Sequence, residues 1–294
     1  MATPPIRADA SPDVSVIIPV HDRHRQVIDA VRSALAQEEV NVEIIVVDDG
    51  STPPIDLDSL KDGRVRVVRH ERNRGAAAAR NTGIAVATGR YVAFLDSDDT
   101  WMPDKLSRQL AAASVAPELS VIATGWRYRF DDRLGDEEFI PEGAKGIHAF
   151  AGGVWFGPGS TALISRSVVD LIGPQDESLA RLEDYDWFLR FALAGGELII
   201  VAAALTAISW RRHTDWRDVD VACRHMRQKY DRRDRAELSV AAWRRIRARL
   251  LLSRASTRWY AGRKLAALWL LAGSWAFWPR THLLLIRPAR RTDD

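Results

Sequence analysis

Short apolar runs recur along the first hundred positions, and each closes on polar residues. Residues 14–19 (VSVIIP) form such a run, ended by proline. A run this short without helical spacing predicts a buried strand. Residues 24–36 carry Val27, Val31, Ala34 and Leu35 at helical spacing and predict a helix. Residues 43–47 predict a second strand, and 64–68 a third that is β-branched and preceded by Asp62-Gly63. The Ala-rich stretch 75–88 predicts a helix stopped by Gly89, and 91–95 a fourth strand. Strands alternating with helices predict an α/β fold, a mainly parallel sheet covered by helices on both faces. In open sheets of this kind ligands bind outside the carboxyl ends of the strands. The loops Pro19-Val20-His21-Asp22, Asp48-Asp49-Gly50-Ser51 and Asp96-Ser97-Asp98-Asp99 are therefore expected to converge on one cleft.

The pattern beyond residue 100 is less regular. Residues 121–124 predict a strand, followed by Trp126, Arg127 and Tyr128; the Gly-, Asp- and Glu-rich stretch 131–146 predicts a mobile loop. Residues 160–164 predict another strand, 184–194 an amphipathic helix with Trp187, Phe188 and Phe191, and 205–210 a last strand before Arg211-Arg212-His213. From about Trp216 the composition shifts to Arg, Ala, Leu and Trp and predicts two or three helices. Residues 265–278 are nearly all apolar until Pro279, too few to span a bilayer. Trp269, Trp275 and Trp278, with Arg263-Lys264 and Arg280 as flanks, fit an interfacial membrane helix; a helix capping the core has the same pattern. The expected organisation is a disordered lead-in at 1–13, without the apolar core of a signal peptide, a domain at 14–215, and a helical extension at 216–294.

With 294 residues, 47% of them hydrophobic, the chain is long enough for one large domain plus such an extension. Its 42 Lys and Arg nearly balance its 39 Asp and Glu, so charge alone gives no argument for nucleic acid. The distribution is uneven, with acids clustered before Asp186 and arginines dominant after Arg211. The single cysteine, Cys223, excludes an internal disulfide and fits a reducing, cytoplasmic compartment.

Several clusters carry candidate chemistry. Asp96, Asp98 and Asp99 follow an apolar strand, and carboxylates this close repel unless a cation or proton intervenes. Hard oxygen donors favour magnesium or manganese; an acidic turn capping the next helix would look the same. Asp48-Asp49-Gly50-Ser51 offers acceptors for a base or ribose, or an ordinary Asp-Gly turn. His213 is a surface or core residue, or a metal ligand through neutral imidazole. Glu183-Asp184-Tyr185-Asp186 opens a helix, where acids cap or where one serves as a general base.

Taken together, VSVIIPVHD at 14–22, VVDDGS at 46–51 and RNRGAAAARNTGIAVATGRYVAFLDSDD at 72–99, with Trp101, Gly159-Ser160-Thr161 and LEDYDWFLR at 182–190, resemble family 2 glycosyltransferases of the GT-A fold. The resemblance runs from about 14 to 213. It implies inverting transfer of a sugar from a nucleoside-diphosphate sugar, UDP-linked by preference, with Mn2+ or Mg2+. By the same resemblance Pro19 and His21 border the nucleotide, Asp49 holds the base or ribose, and Arg80 helps bind the nucleotide. Asp96-Ser97-Asp98 is the DxD element on donor and metal, and His213 matches a further metal ligand. Asp184 is the implied base, and Trp101, Gly159, Ser160 and Glu183 the implied sugar and acceptor pocket. The implied acceptor is a glycan, or a lipid-linked glycan at the inner face of the cytoplasmic membrane, with the C-terminal helices as a peripheral contact. His21-Asp22 replaces the Tyr-Asn of many relatives, and the Gln-x-x-Arg-Trp motif of processive synthases is missing, so single-sugar transfer is expected.

Three rivals differ in class. VAFLDSDDT at 92–100 fits the DxDxT pattern of haloacid-dehalogenase phosphatases, but that motif belongs on a first strand and here three strands precede it. A non-catalytic nucleotide-sugar-binding module would share the fold. Arg244, Arg245, Arg247 and Arg249 suit nucleic-acid phosphates, anionic lipid headgroups or a solvated helix face, and the nearby tryptophans favour lipid over nucleic acid.

Overall fold

A computed structural model describes residues 11–130, 133–210 and 216–279. His213 and most of the expected lead-in lie outside the described residues. The chain runs β1 (Val14–Val20), α1 (Gln26–Leu35), β2 (Val42–Asp48), β3 (Val65–Arg69), α2 (Ala76–Val86), β4 (Tyr91–Phe94), β5 (Thr100–Trp101), α3 (Lys105–Ala113), β6 (Ser120–Phe130), β7 (Arg133–Phe139) and β8 (Ala144–Lys145). It continues through α4 (Ile147–Phe150), α5 (Pro158–Thr161), β9 (Leu163–Ser165), α6 (Arg166–Ile172), α7 (Glu183–Leu193), β10 (Glu197–Ser209), α8 (Trp216–Lys229), α9 (Val240–Tyr260) and α10 (Lys264–Phe277).

The sheet order is β3-β2-β1-β4-β9-β6-β10-β5, with β7 on β6 and β8 on β10. β1 pairs in parallel with β2 and β4, β2 with β3, and β6 with β10. β9 is antiparallel to both β4 and β6 and joins the two parallel blocks. The result is the expected Rossmann-type α/β sheet flanked by helices, with reversed strands added to it. Apolar runs make the central strands because β1 and β2 are covered on both sides: Val16, Ile18, Ile44, Val46 and Leu95 share one core with Val27 and Val31 of α1. α2 packs so closely that a Cβ on Gly83 would lie 2.4 Å from Ile17. The chain leaves β1 for β2 and β3 on one side, then returns to β1's other side as β4. That reversal is a topological switch point, the place where sheets of this kind bind ligands outside the strand ends.

Two expectations need correction. The stretch 131–146 is not all loop: β7 pairs antiparallel with β6, and Phe139 stacks on Trp126 at 5.7 Å. β7 is polar (RLGDEEF) because it lies at the side of β6 and draws its order from pairing, not from a buried face. Residues 160–164 are not one strand either: Pro158–Thr161 is a helical turn with proline in its first turn, and β9 starts at Leu163. α3, for which no element was expected, buries Lys105, Leu106 and Gln109.

By its contacts the chain divides into two compact units, Met1–Gly146 with Val154–Trp210 and Ile147–Gly153 with Arg211–Asp294. In the second, Arg254 and Arg258 of α9 both pair with Asp220 of α8, and Arg245 donates to the His148 carbonyl of α4 at 2.7 Å. Cys223 is buried there and its thiol is pushed up to about 12 by burial, which makes it unreactive.

Candidate active site

The loop after β2 is fastened internally. Asp48 accepts from the amides of Ser51 (2.8 Å) and Ile55 (3.1 Å); burial opposes its charge, but these bonds and the Ser51 hydroxyl hold its pKa below the ordinary value. Asp49 is buried and accepts from the amides of Arg74 (2.9 Å) and Gly75 (2.8 Å). His70 Nδ1 lies 2.7 Å from the same carboxylate and Nε2 lies 2.9 Å from the Thr82 hydroxyl. Asp49 thus ties the entry of α2 to the end of β2. Gly50 is required where these loops meet: its φ is +77°, and a Cβ there would lie 2.6 Å from the backbone of Arg72 and Asn73. The loop after β1 is bound to the same region, since Asp22, at φ 53°, donates its amide to Ser51 Oγ and accepts from the Thr52 amide. His21 is exposed, 3.3 Å from Asp22, and Pro19 is half-buried at the end of β1.

The loop after β4 is a tight turn closed by the Asp99 amide on the Asp96 carbonyl. Its three carboxylates have separate tasks. Asp99 is buried and accepts from the Ser160 hydroxyl (2.6 Å) and the Ser209 amide (2.7 Å). Burial, then the neighbouring charge of Asp96, pushes Asp99 up to about 8. Asp98 pairs with Arg23 at 2.9 Å, and the same guanidinium donates to Ser97. Asp96 is more open and accepts from Arg80 at 2.9 Å. Its other oxygen lies against Gly159, where a Cβ would approach to 2.5 Å.

Arg80 joins this loop to α7. One terminal nitrogen donates to Asp96 and the other to Glu183 at 3.1 Å. The guanidinium is buried, stands 5.8 Å from the Phe94 ring centre, and leaves Nε without a hydrogen-bond partner. Burial disfavours its charge, but Asp96, Glu183 and Asp184 together hold its pKa above the ordinary arginine value. Glu183 is raised by burial and by the charge of Asp184, against the pull of Arg80. Glu183 and Asp184 are aimed by Leu182, which enters α7 in the left-handed region at φ 66°. A leucine there is strained. The neighbouring Asp186 is fully buried and pairs with Arg190 at 3.1 Å, a structural task.

Trp101 and Ser160 lie behind this surface, not on it. Trp101 is buried and its indole N–H donates to the Ser160 carbonyl at 2.7 Å. Ser160 is buried too, donating to Asp99 and accepting from the Asp96 amide at 3.0 Å. Together they hold the acidic turn in place from beneath. Among the described residues no three Asp, Glu, His or Cys side chains converge as a metal-binding group. The donor chemistry nevertheless fits magnesium or manganese: Asp96 and Asp98 supply hard oxygens, and such ions are commonly held by one or two carboxylates with substrate phosphates completing the shell.

Residues 15–173 match the model of Glycosyl transferase family 2, more than half of the chain. The chain belongs to glycosyl transferase family 2. Over 115 residues it is 44% identical to the succinoglycan biosynthesis protein ExoO of Rhizobium meliloti (strain 1021), a match covering 38% of this chain and 33% of that protein. Over 99 residues it is 41% identical to the Escherichia coli UDP-Glc:alpha-D-GlcNAc-diphosphoundecaprenol beta-1,3-glucosyltransferase WfaP, covering 33% of this chain and 39% of that one. The chain thus spans well under half the length of these relatives. The fold matches S. aureus TarS 1-349, crystallised with UDP, at a TM-score of 0.54 and 16% identity, over 90% of this chain and 89% of that one.

Several residues of this candidate site carry little or no mark in the sequence. Arg23 bridges from the β1 loop to Asp98, and its one visible signal is a cation just after His21-Asp22. Arg129 of β6 and Ser209 of β10 both donate to the Asp98 carbonyl. Nothing in the local sequence marks them, because only the sheet order brings β6 and β10 to the end of β4.

Proposed function

We propose that this chain transfers a single sugar, with inversion, from a nucleoside-diphosphate sugar to a hydroxyl of a glycan or lipid-linked glycan. The observation that carries the reading is Arg80, one buried guanidinium that joins Asp96 beside the switch point to Glu183 beside Asp184. Donor-side acids and a candidate base are thereby held in one unit. Asp184 takes the proton of the acceptor hydroxyl; the freed oxygen bonds to the anomeric carbon from the face opposite the diphosphate as the carbon–oxygen bond to the diphosphate breaks. The loops of Pro19, His21 and Asp49 frame the nucleotide, with Asp49 acting by fixing the loop at Arg74 and Gly75. Asp96 and Asp98 would hold a magnesium or manganese ion, which when bound neutralises the leaving diphosphate; His213 is proposed as a further ligand. Gly159 keeps the space beside Asp96 open for the sugar, with Trp101 and Ser160 as its support and Glu183 at the acceptor side.

UDP as the nucleotude carrier is supported by UDP in the TarS crystals and by the UDP-glucose in the name of WfaP. The diphosphoundecaprenol in the same name supports a lipid-linked acceptor, and hence work at the cytoplasmic face of a membrane with the C-terminal helices in contact with it. Isothermal calorimetry with UDP and GDP, each with and without manganese, tests the donor site. The expected result is manganese-dependent UDP binding that Asp98→Ala weakens; binding unchanged by that substitution overturns the metal assignment, and folded protein that binds neither nucleotide overturns the donor assignment.

A further inference from the structure

α10 is built inside out. From Leu265 to Phe277 its only residues that are not strongly apolar or alanine are Gly273 and Ser274. Ser274 faces inward: it is buried and donates to the Ala248 carbonyl of α9 at 2.9 Å, beside buried Ala267. The large side chains face outward, with Trp269 83% exposed, Leu265 79%, Trp275 63% and Leu268 51%. At 100° per residue these four span an arc of about 120°, opposite the side of Ala267 and Ser274. Exposed apolar faces of this kind mark interaction surfaces.

We propose that the outward face of α10 docks on an anionic bilayer surface, with Trp269, Trp275, Leu265 and Leu268 entering the headgroup boundary and Arg263 and Lys264 meeting lipid phosphates. Charge selects this occupant. Residues 216–279 hold fifteen Lys and Arg against five Asp and Glu. A second copy on the same face would bring two strongly basic units together, whereas anionic headgroups are attracted to that net positive charge. Arg263 and Lys264 are exposed where the apolar arc begins. Length decides the mode: at 14 residues α10 is about 21 Å long, short of the hydrocarbon thickness. Among the described residues no helix is long and apolar enough to cross a membrane. α10 therefore lies in the interfacial plane, where tryptophan keeps its ring in the apolar layer and its N–H in the wet one.

This surface rests on the proposed lipid-linked acceptor for its purpose, but its test requires no sugar transfer. The full chain is floated with vesicles of phosphatidylcholine alone and of phosphatidylcholine mixed with phosphatidylglycerol. Binding to the anionic vesicles that weakens with salt is expected, with a blue shift of tryptophan emission. Trp269→Ser with Trp275→Ser should weaken it about tenfold or more, and Arg263→Gln with Lys264→Gln should weaken it on anionic vesicles alone, each variant keeping the wild-type circular dichroism spectrum. No flotation by folded wild-type chain, or flotation unchanged by the tryptophan substitutions, overturns the proposal. So does a dimer in light scattering that those substitutions dissociate. Nucleotide calorimetry on the same preparation reports separately on the transferase reading.

Discussion

The acidic turn after β4 and the last helix treat their side chains in opposite ways. Around Asp96 to Asp99 ionisable groups are turned inward: Arg80 and Asp99 are buried, and each is held by partners on another element. Along α10 the small polar face is turned inward and leucines and tryptophans are turned out. Burying charge is costly unless the group is paired, so the first arrangement is tolerated for what it positions. Exposing tryptophan forgoes hydrophobic stabilisation, so the second persists only where folding does not depend on that face. One region spends stability on geometry, and the other leaves apolar area for a partner.

Substitutions sharpen this contrast. The largest effect is expected at Arg80, where Arg80→Ala leaves Glu183 and Asp96 facing each other without their shared cation. Removing one partner of a buried ionic cluster costs about 3–5 kcal/mol, read as a lower denaturant midpoint; an unchanged midpoint breaks the inward-charge account. Next comes Gly159→Ala, whose methyl meets the Asp96 carboxylate. Crowding of this kind costs about 1–3 kcal/mol, and weaker UDP binding by calorimetry is expected with it.

Lys105 tests a buried amine that meets no acidic side chain among the described residues. It is fully buried, its amine lies 4.0 Å from the Trp101 ring centre and bonds Gln109 at 2.8 Å, and burial lowers its pKa well below the ordinary 10.5. Since the folded pKa is depressed, the unfolded chain binds the proton more readily, and stability rises with pH between the folded pKa and 10.5. Lys105→Met is therefore expected to be neutral or stabilising near neutral pH, by up to about 2 kcal/mol, with the advantage shrinking as pH rises towards 10.5. Thermal or denaturant unfolding of both chains across pH measures it, and an advantage that grows with pH contradicts it. The smallest effect belongs to α10: Trp269→Ser is expected to change folding stability by no more than about 0.5 kcal/mol, and a larger loss would mean that its ring is packed.

The sequence displays what the fold repeats locally. β1, β2 and β4 were legible because each is an apolar run covered on both faces, and α1 because Val27, Val31 and Ala34 recur at its period. β7 was hidden because its residues are polar and its order comes from β6. In the site, the acidic loops were visible as residues, but their division of labour was not. Asp99 and Asp98 are neighbours in sequence, yet one bonds Ser160 and the other Arg23. Arg129 and Ser209 were invisible for the same reason as β7, since partners from distant strands leave no local pattern.

In the proposed mechanism the group of side chains joined by Arg80 holds a base at Asp184 and a donor site beside it. Release of UDP from UDP-sugars, with lipid-linked acceptor extracted from membranes, is the direct measurement, made on wild type and Asp184→Asn together with UDP binding. Turnover is expected to fall by about 10²- to 10⁴-fold with UDP affinity unchanged. Turnover at the wild-type rate in Asp184→Asn would contradict it.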